Sequence, residues 1–419
     1  MRFQSLIVTA IVAVFAVCLC GYSQESQISV KTGLDVLLDE KADILKGKRI
    51  GIITNHTAVD RQGNLLVDIL CRRSEIHIAA LFSPEHGIRG DQDDSIPDGK
   101  DERTGIPVYS LYGKTKKPTP EMLEGMDLLI FDIQDIGARF YTYIGTMAFA
   151  MEVAAEKSIP FVVLDRPNPI TGTGVEGPVL DFTLRSFIGV APIAVRHGMT
   201  VGELANLFNS EGWLKDSRPC DLTVIPMTGW RRSLWFDETG LPWVQTSPNM
   251  PDLETAILYP GLCFLEATTI SEGRGTLEPF KMIGAPWIDS EELASVLERK
   301  AIPGVRFEPV SFVPKEIIGR AKNPKYEGET CQGVRIQITD RERLKSVTLG
   351  IQLLCTVRDL YPEHFAWRGG SVRTMELLSG QQWIPKAVEE GESAEVIVSR
   401  WQEGLDAFLK IRQKYLLYK

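Results

Sequence analysis

Four short runs in the first half of the chain are apolar almost without interruption and rich in β-branched residues: 49–54 (RIGIIT), 76–82 (IHIAALF), 127–132 (DLLIFD) and 161–165 (FVVLD). A strand with one wet face alternates apolar and polar positions. A run without alternation suits a strand covered on both faces, as in a parallel sheet flanked by helices. Stretches of helical spacing separate the runs, among them 64–71 and 143–157. Strand and helix in turn predict an α/β fold, a Rossmann-like doubly wound and mainly parallel sheet, over residues 24–288. From residue 289 the pattern changes. A helix over 290–299, strands over 333–338 and 346–353 and a long helix over 393–409 predict a second, smaller α+β domain, 289–419.

The first residues follow neither pattern. Arg2 precedes an almost wholly apolar run over 6–19 and then Gly21, Tyr22 and Ser23. A basic start, a run too short to span comfortably and small residues after it predict a secretory signal over 1–23, hence an exported, periplasmic chain with no membrane span once matured. Cys20-Gly21 would also suit lipid attachment, but Val17-Cys18-Leu19 lacks the small residue expected before a lipidated cysteine. Beyond the signal remain Cys71, Cys220, Cys263, Cys331 and Cys355. Their odd number, long spacings and lack of C-x-x-C predict small buried residues rather than a disulfide framework or a zinc finger.

Composition narrows the function classes. In 419 residues Asp and Glu outnumber Lys and Arg by 55 to 46. A nucleic-acid binder presents a basic face, so nucleic acid is not an expected partner. Gly172-Thr173-Gly174-Val175-Glu176-Gly177 satisfies G-x-G-x-x-G but follows a Pro-rich turn instead of leading a strand into a helix, so no dinucleotide is expected. The five histidines show no short metal-ligand spacing, and His77 falls inside a predicted core strand. The expected list of cofactors and metals is empty, and oligomeric state is not encoded.

Polar residues concentrate where the strands end. The first run is followed by Thr54-Asn55-His56-Thr57, the second by Ser83-Pro84-Glu85-His86-Gly87-Ile88-Arg89-Gly90-Asp91. The third leads into a stretch holding Asp132, Gln134, Asp135, Arg139 and Tyr141, the fourth into Asp165-Arg166-Pro167-Asn168-Pro169. Open α/β sheets bind ligands in the crevice outside these carboxyl ends. Three later stretches are polar as well: Arg196-His197-Gly198-Met199-Thr200, with Thr200 as a helix cap, Ser247-Pro248-Asn249-Met250-Pro251, and 266–276, where Gly273 and Gly275 flank Arg274. Glu85, between Pro84 and Gly87, suits a carboxylic acid held in a cleft for general acid work. Asp132 with Arg139 and Asp165 with Arg166 are equally read as ion pairs that fix strand ends.

Taken in order, 82–90, 132–143, 165–169, 196–200, 247–251 and 266–276 resemble the exo-β-N-acetylmuramidases, once a family of unknown function (DUF1343) and now glycoside hydrolase family 171. The resemblance covers nearly all of the mature chain. It implies a Rossmann-like domain with a smaller partner and a cleft where they meet, and removal of terminal N-acetylmuramic acid from the non-reducing end of peptidoglycan fragments, in cell-wall turnover. It assigns Glu85 as the acid. For the second role of glycoside hydrolysis, Asp132, Asp135, Glu272 and Tyr141 are candidates, and the substrate's own 2-acetamido group is a further route. Either anomeric outcome fits. An arginine suits the lactyl carboxylate, so Arg89, Arg139, Arg166 and Arg274 are candidates with Arg274 favoured. Asn55, His86, Gln134, His197 and Asn249 are candidates for the remaining sugar contacts. The alternatives are a non-catalytic periplasmic sugar- or muropeptide-binding protein, and a peptidoglycan amidase or esterase using a metal or an activated nucleophile.

Overall fold

The computed structural model describes residues 29–85, 87–90 and 97–419; the expected signal at 1–23 and His86 lie outside the described residues. Twelve strands are formed there: β1 (Arg49–Thr54), β2 (His77–Ser83), β3 (Gly99–Lys100), β4 (Pro107–Ser110), β5 (Leu128–Asp132), β6 (Phe161–Leu164), β7 (Glu176–Val179), β8 (Ala194–Arg196), β9 (Leu222–Ile225), β10 (Met282–Ala285), β11 (Val305–Phe312) and β12 (Cys331–Ile338). Seven make the main sheet, in the order β3-β4-β2-β1-β5-β6-β9. Only the edge pair β3–β4 is antiparallel. β5 is buried along its whole length and β6 likewise, as uninterrupted apolar runs require. The helices α1 (Leu66–Leu70), α2 (Thr142–Lys157) and α3 (Val201–Ser210) flank this sheet. Thr200 caps α3 in a reciprocal box with Glu203.

The smaller sheet, β10-β12-β11, is antiparallel throughout. Because Met282–Ala285 belongs to it, the second unit reaches back before residue 289. It carries α4 (Leu253–Leu262), α5 (Ser290–Arg299), α6 (Ser346–Leu360), α7 (Arg373–Ser379), α8 (Ala394–Arg400) and α9 (Gln402–Arg412). One apolar cluster runs from Phe131 and Phe161 of the main sheet through Leu258 and Leu262 of α4 to Val334 and Leu353, so both units share a core.

Three expectations fail for local reasons. The strand expected over 346–353 is the first half of α6. Its apolar residues face α4 at a contact where a Cβ on Gly350 would come within 2.3 Å of the Gly261 carbonyl oxygen. Two glycines thus let the helix backbones touch, and this packing overrides β-branched propensity. The long helix over 393–409 breaks at Trp401 into α8 and α9. His77 is exposed at the start of β2, with Nε2 3.4 Å from Arg49 Nη1, and is no core residue. Among the described residues the five cysteines are free; four are buried and Cys71 is exposed.

Candidate active site

The topological switch lies between β1 and β5, where strand order reverses, and its mouth is closed by side chains. Asp132, fully buried at the end of β5, takes a forked bond from Arg166, with Nη2 2.9 Å from Oδ2 and Nε in direct contact with Oδ1. Asn55 Oδ1 accepts from the Thr57 amide (2.9 Å) and hydroxyl (2.6 Å), and the Gln134 amide donates to Thr57 Oγ1. Gln134 Nε2 donates to the Asp135 and Pro167 carbonyls. Asp135 Oδ2 accepts from the Gly137 amide and lies 3.5 Å from Nε2 of the fully buried His197. What remains open beside Arg166 is a void of about 20 Å³.

A larger cavity, about 310 Å³, opens to one side, where the loops after β2 and β5 meet segments of the second unit. That is near the lower limit for ligand pockets and suits a small ligand. Its wall is a run of aromatic rings: Tyr141 packs edge-on against Tyr143 (5.0 Å) and Tyr259 (5.8 Å), and Tyr259 against Phe140 (5.5 Å) and Phe280 (5.0 Å). Both tyrosine hydroxyls at the head of α2 are spoken for. Tyr141 donates to Thr246 Oγ1 (2.7 Å) and Tyr143 to the Thr246 carbonyl (2.5 Å).

Two carboxylates line this space, Glu85 and Glu266. Glu85, half-buried, accepts from Thr142 Oγ1 at 3.3 Å, and its charge acts on Tyr141 and Tyr143. Beside it Lys116 sets its ammonium 3.5 Å from the ring centre of Tyr112 and 5.0 Å from that of Phe187. Burial holds that ammonium below the usual lysine range, with the Glu85 charge opposing. The charge of Glu266 acts on Tyr259 and Cys263. Burial, then the charge of Glu272, push the Glu266 carboxyl above the ordinary carboxylate range, while Arg274, Lys325 and Arg368 pull it back. Arg274 Nη1 lies 3.5 Å from Glu266 Oε1.

Of the residues expected at the site, Glu85, Tyr141, Asn249 and Arg274 therefore line one cavity. Asn249 Nδ2 donates to the Arg320 carbonyl (2.6 Å). The other candidates are held elsewhere. Asp132, Arg166, Gln134, Asp135 and His197 make up the closed switch point, and Asn55 stands behind Tyr143. Arg89 forks between Asp68 and Asp101, which hold it firmly charged. Arg139, buried, donates to the Pro178, Ile193 and Leu378 carbonyls, and burial pulls it down to about 9. Glu272 pairs with Lys325 at 2.9 Å. Tyr141 would need a lowered pKa to attack; instead burial, with Glu85 and Asp135 nearby, pushes it upward.

Sequence reasoning passed over Glu266, Tyr143, Tyr259 and Lys116 as site residues. Glu266 opens the polar stretch 266–276, and that is the signal that points to it. Cys263, also on the wall, is pushed far up by burial and holds its proton as a thiol. Among the described residues no cluster of His, Cys, Asp or Glu could hold a metal ion, and no helix is long and apolar enough to cross a membrane.

Comparison with known proteins gives one answer. The family described as exo-beta-N-acetylmuramidase NamZ matches in two parts, its N-terminal part over residues 50–254 and its C-terminal part over 257–418. The chain is 49% identical over 391 residues to the peptidoglycan beta-N-acetylmuramidase NamZ of Bacillus subtilis, covering 93% of this chain and 91% of that one. Crystal structures of two DUF1343 family proteins from Bacteroides fragilis superpose with TM-scores of 0.87 and 0.75, at 39% and 36% identity. They cover 94% and 93% of this chain and nearly all of their own.

Proposed function

This chain belongs to the exo-beta-N-acetylmuramidase NamZ family, and we propose that the cavity at Glu85 is where it works. It is a glycosidase that releases β-linked N-acetylmuramic acid from the non-reducing end of peptidoglycan fragments. One observation carries the assignment of the site. Glu85 is a carboxylate lining an aromatic-walled pocket, and Thr142 is placed to donate to it. Protonated, Glu85 gives its hydrogen to the departing glycosidic oxygen as the bond to the anomeric carbon breaks.

The second role falls to the substrate. A two-carboxylate mechanism needs a partner across the anomeric centre from the acid. Among the described lining residues the other carboxylate is Glu266, which is engaged with Arg274. Tyr141 is held as a phenol and already donates its proton. The 2-acetamido oxygen, pressed against the anomeric carbon by the aromatic wall, is the nucleophile this pocket supports. An oxazolinium intermediate then forms, and water opens it with Glu85 now taking the proton. Arg274 is the group for the lactyl carboxylate, since a fork of N–H donors matches a carboxylate and N-acetylglucosamine offers none. The apolar leader and the wall-derived substrate support export to the periplasm as part of the same proposal.

Release of nitrophenol from the para-nitrophenyl β-glycosides of N-acetylmuramic acid and N-acetylglucosamine tests the reading. Turnover of the first alone, slowed in Glu85→Gln, is the expected result. Binding of either sugar without turnover would replace the site assignment with a binding-protein reading.

A further inference from the structure

The cavity also carries a charged pair, Glu266 and Arg274, that bond cleavage leaves unused. Glu266 lies on a tight turn (Cys263–Ala267) that continues α4, and Arg274 on the loop beyond it. Both side chains are about one-third open to the cavity, at 29% and 34%, and their 3.5 Å separation is an ion contact looser than a hydrogen bond. Tyr259 and Cys263 face Glu266 from the α4 side, Glu272 and Arg274 from the loop, Lys325 from the segment before β12, and Arg368 from the turn before α7. Lys325 is committed to Glu272 (2.9 Å) and to the Leu265 and Ile270 carbonyls (2.7 Å each). Arg274 is the one of these cations that lines the cavity.

We propose that Arg274 exchanges carboxylates during binding: the lactyl carboxylate of the incoming sugar displaces Glu266 from Arg274, and Glu266 takes up a proton from solvent as it is displaced. This rests on the reading of Arg274 as the lactyl partner. Before binding, Arg274 serves Glu266, with Glu272 held by Lys325. After binding, a third carboxylate engages Arg274. Glu266 is left with Lys325, itself paired to Glu272, and with Arg368, which makes no salt bridge to it; a shielded carboxylate without a close cation is expensive. Protonation of the carboxyl that burial and Glu272 already oppose as an anion restores the balance. Neutral Glu266 can then donate its O–H to the sugar. A ligand without a lactyl group leaves the Arg274–Glu266 pair as it is, and no proton moves. Glu266 thus becomes a specificity-determining residue, and affinity for the acidic sugar strengthens as pH falls through the carboxyl's raised range.

Titration calorimetry with free N-acetylmuramic acid and N-acetylglucosamine, in buffers of different ionisation enthalpy from about pH 5 to 7 where a lactyl carboxylate is ionised, counts the protons. The expected result is uptake approaching about one proton per N-acetylmuramic acid. None is expected for N-acetylglucosamine, and none in a Glu266→Gln variant that still binds the acidic sugar and keeps its melting temperature. Uptake that persists in Glu266→Gln, or no uptake in the native chain, overturns the exchange. Arg274→Ala separates the two readings. If preference for the acidic sugar survives it, the assignment of Arg274 has failed and the exchange with it. If preference is lost while the native proton count is zero, the exchange alone has failed.

Discussion

Thr142 Oγ1 stands 3.3 Å from Glu85 Oε2, so the hydroxyl of the first residue of α2 is placed to donate to the carboxylate carried in by the loop after β2. The bond joins two segments 57 residues apart. In the proposed acid role its chemical value would lie after proton transfer, when the charge left on Glu85 meets a fixed donor at the start of a 16-residue helix.

That arrangement predicts an unequal response to Glu85→Gln. Glutamine keeps the contact with Thr142 but has no proton to give. Turnover of a natural disaccharide should fall about 10²–10⁴-fold with KM nearly unchanged. A nitrophenyl glycoside should lose less, because nitrophenolate departs without protonation. Initial rates on both substrates decide it, and equal losses would count against an acid role.

Attack by the acetamido group inverts the anomeric carbon once and water inverts it again. The first sugar released should therefore be the β anomer, visible by proton NMR before mutarotation. Replacing the acetyl group by trifluoroacetyl should slow turnover sharply by weakening the nucleophile. Release of the α anomer would rule this route out.

Asp132 is fully buried and paired with Arg166, so its substitution should be read in stability. Asp132→Asn leaves the Arg166 guanidinium buried against a neutral partner. Breaking such a pair costs about 3–5 kcal/mol. The expected outcome is a lower urea midpoint with KM unchanged in the folded fraction. Normal stability with turnover abolished would return Asp132 to the chemistry.

Asp165 gives a pH dependence with a definite sign. Burial pushes its carboxyl up to about 7, against bonds from Tyr418, Gly202 and Thr200. An unfolded aspartate titrates near ~3.9. Between those values the native chain holds more protons than the unfolded one, so this contribution to stability is complete below about pH 4 and is lost as pH rises toward 7. Tyr418 donates to Asp165 Oδ2 at 2.5 Å. Tyr418→Phe removes a bond that favours the anion, and the loss should extend to higher pH. Denaturation curves of both chains across that range test it, and parallel profiles would sink the prediction.

The parallel sheet was legible because β1, β2, β5 and β6 are apolar on both faces, and such runs fit few other environments. Glu85 was legible because a lone carboxylate between Pro84 and Gly87 has no packing reason to be there. The four polar strand ends looked alike in sequence, however, since ligand contacts and internal pairs use the same residue types. Asp132 could equally have faced a sugar or an arginine from another strand. Only the fold sets Arg166 across from it and fills the switch point.

Local pattern thus determined four parallel strands of the first unit and the long helix α2, and pointed to the loop of Glu85 that lines the cavity, but not β3, β4, β7, β8 or β9. Tertiary structure decided the rest. Whether Ser346–Leu360 is strand or helix turns on a glycine of α4 distant in sequence. The raised carboxyl of Glu266 turns on its burial and on Glu272, with Arg274 opposing. Burial and charge balance are sums over neighbours that the chain brings together only on folding, so a residue's chemistry cannot be read from its adjacent letters.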